Sequence, residues 1–297
     1  MRNGLLVAAL TLVLALSAGP SCAGSSSDVT NPPSGNNPPP EPPAPPPPTP
    51  QPPAPPQPDP GPPPSPPPGP PVPNPAGLGA GARVLFIGNS LTDANDLPAM
   101  VRALASAEGL DWDVRAELLG GASLEDHWQA GSAQATIQSG HWDAVVLQQG
   151  PSSLPESRDN LRHWVAVFDE SIRAAGGRSA LYMVWPESSR IAWFDRVRDS
   201  YALAARDVSG WFLPAGETWR AAWRGNALLA LYGVDGFHPT PAGSYAAALT
   251  IFAGLSGRSP LGLPAPATVD PTTAERLQRA AQDALDTYGD YGPLDVP

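Results

Sequence analysis

The chain has 297 residues, 28 acidic against 17 basic side chains, a net charge of −11, 42 prolines and one cysteine. A single cysteine excludes an internal disulfide scaffold, and the acidic balance argues against nucleic acid or anionic lipid head groups as partners, since both require basic patches. The prolines cluster toward the front, so the stretch that can bury a core is shorter than the chain.

Residues 1–23 read as an export signal. Arg2 supplies the positive start, Leu5 to Leu16 form an apolar run, and small residues follow up to Ala23. The run is too short to span a bilayer comfortably. Cys22, followed by Ala-Gly-Ser-Ser-Ser-Asp, allows two readings. One is acylation of Cys22, giving a cell-envelope lipoprotein whose only membrane contact is that anchor. The other is ordinary cleavage after Ala23, with Ser21-Cys22-Ala23 as the small-residue site; Gly19 stands where lipoprotein sites usually carry Leu. Both make the protein exported, either envelope-bound or secreted. Residues 24–79 are Pro-rich. Proline fixes φ and lacks an amide donor, so this stretch favours extended polyproline II, at about 3.1 Å per residue, and reads as a semi-rigid tether. Residues 80–297 remain for one folded domain.

Within that domain apolar runs alternate with amphipathic segments. Arg83–Ile87 is a strand candidate, and Leu97–Ala107 a helix with Leu97, Val101, Leu104 and Ala105 on one face, stopped by Gly109. Trp112–Leu118 is a second strand and Leu124–Ile137 a weaker helix. Trp142–Gln148 is a third strand, and 157–175 a strong helix ended by Gly176-Gly177. Ala180–Trp185 and Trp211–Pro214 complete the strands. Further helices are expected at Ile191–Ala205, Thr218–Trp223, Pro241–Leu255 and Thr272–Tyr288. Strand and helix alternate about five times, which predicts an α/β fold with a parallel sheet between helices. Active sites of such sheets gather at the carboxyl ends of the strands.

Two short motifs stand at that edge. Gly88-Asn89-Ser90-Leu91-Thr92 directly follows the first strand candidate. Asp235-Gly236-Phe237-His238-Pro239 comes some 145 residues later. Ser90 offers a nucleophile. Asp235, three residues before His238, can curl back onto one ring nitrogen with Gly236 permitting the bend, leaving the other nitrogen to take the Ser90 proton. Taken alone, Ser90 also reads as a turn or N-cap residue, and His238 as a loop histidine that caps the next helix.

Together these residues resemble the first and last sequence blocks of the SGNH hydrolases, the GDSL esterase/lipase superfamily. Those blocks read Gly-Asp-Ser-Leu (or Gly-Asn-Ser) and Asp-x-x-His-Pro, and the resemblance spans residues 83–256. It implies a three-layer α/β/α sandwich with a parallel, flavodoxin-like five-stranded sheet, and ester hydrolysis without metal or other cofactor. Ser90 is then the nucleophile, His238 the base and Asp235 its orienting partner. The family's oxyanion hole uses the nucleophile's own amide, a glycine amide of the second block and an Asn of the third. These map to Ser90, to Gly121 within Leu119-Gly120-Gly121-Ala122, and to a departure: Leu147-Gln148-Gln149-Gly150 stands where Gly-x-Asn-Asp is usual. A Gln amide can donate as Asn does. Gln149 is the preferred donor and Gln148 the alternate, since adjacent strand residues face opposite ways.

His127 reads either as a substrate-pocket residue or as a buried, satisfied histidine. Glu187 reads as a substrate contact or a solvated loop charge. Nine tryptophans include candidates for a sugar-stacking platform, although helical spacing explains most of them as core. The expected protein is an exported, surface-tethered, monomeric serine esterase acting on a small-molecule or glycan ester, with short acyl groups on carbohydrate favoured. A lipase or thioesterase of the same superfamily and a non-catalytic glycan-binding module are the rivals.

Overall fold

The computed structural model describes residues 77–291. The expected export signal at 1–23, Cys22 and the linker as far as residue 76 lie outside the described residues, as do residues 292–297.

Five strands form the sheet: β1 (Arg83–Gly88), β2 (Asp113–Leu118), β3 (Ala144–Leu147), β4 (Ser179–Tyr182) and β5 (Trp211–Leu213). All neighbours pair in parallel, in the order β2-β1-β3-β4-β5. This is the doubly wound, flavodoxin-like order. The apolar runs explain it. Val84 to Ile87, Ala144 to Leu147 and Ala180 to Tyr182 are all fully buried, as strands covered on both faces must be. β2 is an edge strand and leaves Arg115 and Ala116 exposed.

The helices are α1 (Ser90–Asp93), α2 (Leu97–Ala107), α3 (Leu124–Ala130), α4 (Ser132–Ser139), α5 (Pro155–Ala174), α6 (Phe194–Asp207), α7 (Ala215–Gly225), α8 (Pro241–Ser256) and α9 (Pro271–Tyr288). α2, α7 and α9 pack around α8, while α3, α4 and α6 pack along α5. The two groups enclose the sheet as three layers. α8 is buried along nearly its whole length, and α9 covers it together with α7, which places residues 271–288 in the outer helical layer. No helix among the described residues is long and apolar enough to cross a membrane.

Three differences from the sequence expectation bear on the site, while α7 begins at Ala215 and β4 ends at Tyr182, each three residues earlier than expected. The single helix at 124–137 is two, because Gly131 adopts a left-handed φ of 81° and closes α3 with a bond to His127 O. The helix expected from Ile191 begins at Phe194, after a 3₁₀ turn at Ser188–Trp193. Ser90 itself opens a four-residue helix, α1, whose brevity hides it from any periodicity.

Strand order reverses about β1: the crossover from β1 leads to β2 on one side, while β3 lies on the other. Crevices outside the carboxyl ends of strands at such a point are the ligand sites of open α/β sheets. The residues leaving β1 and β3 there are Gly88 to Ser90 and Gln148 to Gln149.

Candidate active site

The nucleophile loop is built from below. A Cβ on Gly88 would stand 2.5 Å from Thr92 Oγ1 and 2.6 Å from Gln148 Oε1, so only glycine fits. Asn89, 5% exposed, caps α1. Its Oδ1 accepts from Leu91 N–H (3.1 Å) and from Gln148 Nε2 (3.0 Å), and its Nδ2 donates to Ala122 O (2.9 Å). Gln148 Oε1 in turn accepts from Asn89 N–H (2.9 Å) and from Thr92 Oγ1 (2.7 Å). Because a backbone N–H can only donate, that bond fixes which way the Gln148 amide points. His127 is fully buried, and its Nε2–H donates to Gly88 O at 2.8 Å. Its Nδ1 is buried without a partner, and burial pushes the ring's pKa below the usual value. The ring therefore works beneath the loop as a neutral donor, not in a substrate pocket.

Asp235 and His238 lie between α7 and α8 in a small closed hairpin. Gly233 N–H donates to His238 O (2.7 Å) and Thr240 N–H to Leu231 O (2.9 Å). Gly236 makes the bend at φ 70°, packed so closely on Ser188 that a Cβ would sit 2.3 Å from its Oγ. Asp235 Oδ1 accepts from the amides of Phe237 and His238, both at 3.0 Å. Asp235 Oδ2 takes the His238 Nδ1–H at 2.6 Å, and His238 Nε2 stands 2.9 Å from Ser90 Oγ. The bond from His238, then that from the Phe237 amide, hold the Asp235 carboxyl down at about 2. An ionised Asp235 fixes the imidazole tautomer with its proton on Nδ1, which leaves Nε2 free to accept the Ser90 hydroxyl proton. Both side chains remain open to solvent, at 48% and 43% exposure.

The three residues chosen for the oxyanion hole stand as follows. The Ser90 amide is the first of α1, a position whose N–H has no partner within the helix. Gly121, at φ 71°, lies between β2 and α3 with open space where its Cβ would be. Gln149 is 4% exposed; its Oε1 accepts from Leu124 N–H (3.1 Å) and its Nε2 donates to Ser152 Oγ (3.0 Å). Its second Nε2 hydrogen points to Asn160 Oδ1 at 3.5 Å, so a donor role for Gln149 requires Nε2 to release one of these two partners. Gln148 Nε2 donates to Asn89 Oδ1 and to Gln149 O (2.6 Å), so both its hydrogens hold the loop. The sequence reading did not assign that bracing role to Gln148 or the capping role to Asn89; the Asn-before-Ser spacing of an N-cap was the available signal for the second.

Trp142, Trp185 and Trp219 are fully buried, so none of them can stack on a ligand. Glu187 is exposed, with Arg190 Nε 4.0 Å away. Both belong to a cleft of about 170 Å³ between the β3 and β4 exits, which Ser152, Ser153, Leu154 and Phe237 also line. A larger cavity of about 340 Å³ lies between α2 and residues 264–266 and includes neither Ser90 nor His238.

No family model matches the chain, and no curated protein matches its sequence. Solved structures do. A DUF4886 family protein from Bacteroides uniformis is 22% identical, covers 73% of this chain and 98% of its own, and superposes with a TM-score of 0.62. That likeness shows the fold. A lipase/acylhydrolase from Enterococcus faecalis is 14% identical over 62% of this chain and 98% of its own, with a TM-score of 0.49. A candidate SGNH hydrolase from Slackia heliotrinireducens is 31% identical over 58% of this chain and 97% of its own, with a TM-score of 0.49. The chain thus has the three-layer α/β fold that its resemblance to the SGNH hydrolases implies.

Proposed function

We propose that this protein is an exported serine esterase that cleaves short acyl groups, acetyl among them, from carbohydrate. The observation that carries the reading is the unbroken relay from Asp235 Oδ2 through His238 to Ser90 Oγ, at 2.6 and 2.9 Å. Ser90 Oγ attacks the ester carbonyl as His238 Nε2 takes its proton. The carbonyl electrons move onto oxygen, which the Ser90 and Gly121 amides and the Gln149 side chain stabilise. The tetrahedral intermediate collapses, His238 returns the proton to the departing alcohol, and the acyl group stays on Ser90. Water, deprotonated by His238, then repeats the attack and releases the carboxylic acid. Asp235, ionised throughout, stabilises the imidazolium in both halves.

Two features favour a carbohydrate alcohol. The cleft beside Phe237 carries hydroxyls, a carboxylate and a guanidinium together with an aromatic ring, a mixture suited to a polyol with one apolar face. The exposure of Asp235 and His238 lets an ester on a bulky chain reach Ser90. The export signal, the lipid anchor or cleavage at Cys22, and the Pro-rich tether rest on the sequence, and would present the enzyme outside the cytoplasm.

The test is hydrolysis of p-nitrophenyl esters of increasing chain length by the full chain, beside Ser90→Ala. Acetate should turn over fastest, and the variant should lose at least about a hundredfold in kcat, as expected for a missing nucleophile. A rate rising with chain length would move the assignment to a lipase. Equal inertness of both proteins on these esters and on acetylated glycans would replace the esterase by a binding module.

A further inference from the structure

The residues 229–243 carry both Asp235 and His238, yet their tip is open: Val234 is fully exposed. Polar tips of aromatic side chains secure this segment at four points. Trp185 Nε1–H donates to Phe237 O (2.9 Å), Trp219 Nε1–H to Gly243 O (3.1 Å) and Trp223 Nε1–H to Leu229 O (2.9 Å). The Tyr232 hydroxyl, within the segment, donates to Pro186 O (2.5 Å). Buried indole N–H groups usually find an acceptor, and those of Trp185, Trp219 and the half-buried Trp223 find it in the backbone of this one stretch. The rings support one another: Trp185 lies flat on Trp219 with centroids 3.6 Å apart, and Tyr232 meets Trp219 edge-on at 5.0 Å.

Trp185 holds the point nearest the chemistry. Phe237 O and His238 N–H belong to one planar peptide unit. That N–H is one of the two amides that hold Asp235 Oδ1, and Asp235 Oδ2 grips His238 Nδ1. Fixing Phe237 O therefore fixes the plane that aims the carboxylate at the imidazole. Ser188 N–H, from the same exit of β4, takes the preceding carbonyl, Gly236 O, at 2.8 Å. We infer that Trp185 is a positioning residue for the Ser90–His238–Asp235 relay, acting through the Phe237–His238 peptide. The inference rests on the serine-esterase reading above.

The experiment uses the full chain, Trp185→Phe and a control, Trp112→Phe. Phenylalanine keeps a ring against Trp219 and removes only the indole and its N–H. The control loses a bond of the same kind, Trp112 Nε1–H to Gly79 O at 2.9 Å, at the amino ends of β1 and β2, opposite the carboxyl edge that carries Ser90. Ser90 reactivity is read as the rate of covalent labelling by a fluorophosphonate across pH. This needs no knowledge of the natural ester. Trp185→Phe should label about tenfold more slowly than wild type, the order expected for a small misplacement of a reacting group. Its acidic limb should move to lower pH, because a poorly aimed Asp235 stabilises the imidazolium less. Trp112→Phe should keep the wild-type rate and limb even if its thermal midpoint falls as far. Equal rates and limbs in wild type and Trp185→Phe would overturn the inference, as would the same changes in the control. A wild type that does not label at all overturns the esterase reading first. Amide exchange at Phe237 and His238, faster in Trp185→Phe alone, then decides whether Trp185 holds the segment.

Discussion

The two halves of the relay are held by opposite means. The Ser90 half is interior: Asn89 and Gln148 are nearly without solvent exposure, His127 has none, and side-chain amides and an imidazole brace the backbone from three strand exits. The Asp235–His238 half is a surface hairpin, held by its own turn bonds and by aromatic tips reaching up from the core. Rigidity at Ser90 comes from polar groups that would be costly to leave unpaired. At His238 it comes from apolar mass placed behind an exposed tip. The first half should fail through stability as well as rate, and the second mainly through rate.

Asp235→Asn should show the largest effect on the surface side. The amide would present the wrong partner to His238 Nδ1–H, and kcat should fall about 10²- to 10³-fold, somewhat less than at a buried triad because water reaches this site. The thermal midpoint should scarcely move. With its carboxyl held at about 2, Asp235 stays charged until the pH falls through that value, so the acidic limb of wild-type kcat should not follow this carboxylate. A limb tracking Asp235 would break the contrast. Gly88→Ala tests the interior side. Its Cβ would press on Thr92 Oγ1 and Gln148 Oε1, an overpacking that typically costs about 1–3 kcal/mol. Urea unfolding should show that loss, together with slower Ser90 labelling. Unchanged stability would mean the interior brace yields easily.

The smallest effect is a matter of pH. Burial lowers the His127 pKa from its ordinary 6.5, so the unfolded chain takes up a proton that the folded ring refuses. The neutral ring's contribution is fully present above pH 6.5 and is lost as pH falls below it. His127→Gln, which keeps a donor for Gly88 O, should flatten the decline in urea midpoint between pH 7.5 and 5. An unaltered slope would assign that decline to other groups.

The extent to which the sequence is readable follows the same divide. β1, β3 and α5 are plain because burial imposes continuous or periodic apolar residues over several positions. Ser90, Asp235 and His238 are legible because turn chemistry, spacing and position after strands coincide, and the structure brings the three within hydrogen-bond reach. The braces are not legible. Gln148 meets Asn89 across 59 positions and Trp185 meets Phe237 across 52, and no local pattern records a contact made only by the fold. For the same reason the sequence could rank Gln149 above Gln148 as oxyanion donor but could not foresee that each amide already has partners in the loop scaffold.

On the esterase reading, the exposure of His238 also bears on which nucleophile ends the catalytic cycle. At 43% exposure the imidazole meets bulk solvent directly, so no conduit has to deliver the water that frees the acyl group from Ser90. Nothing at such an opening favours water over another small hydroxyl compound. On the esterase reading, an acyl-enzyme formed here would partition between water and dissolved alcohols or sugars according to their concentration and nucleophilicity, making acyl exchange between acceptors a built-in companion of hydrolysis.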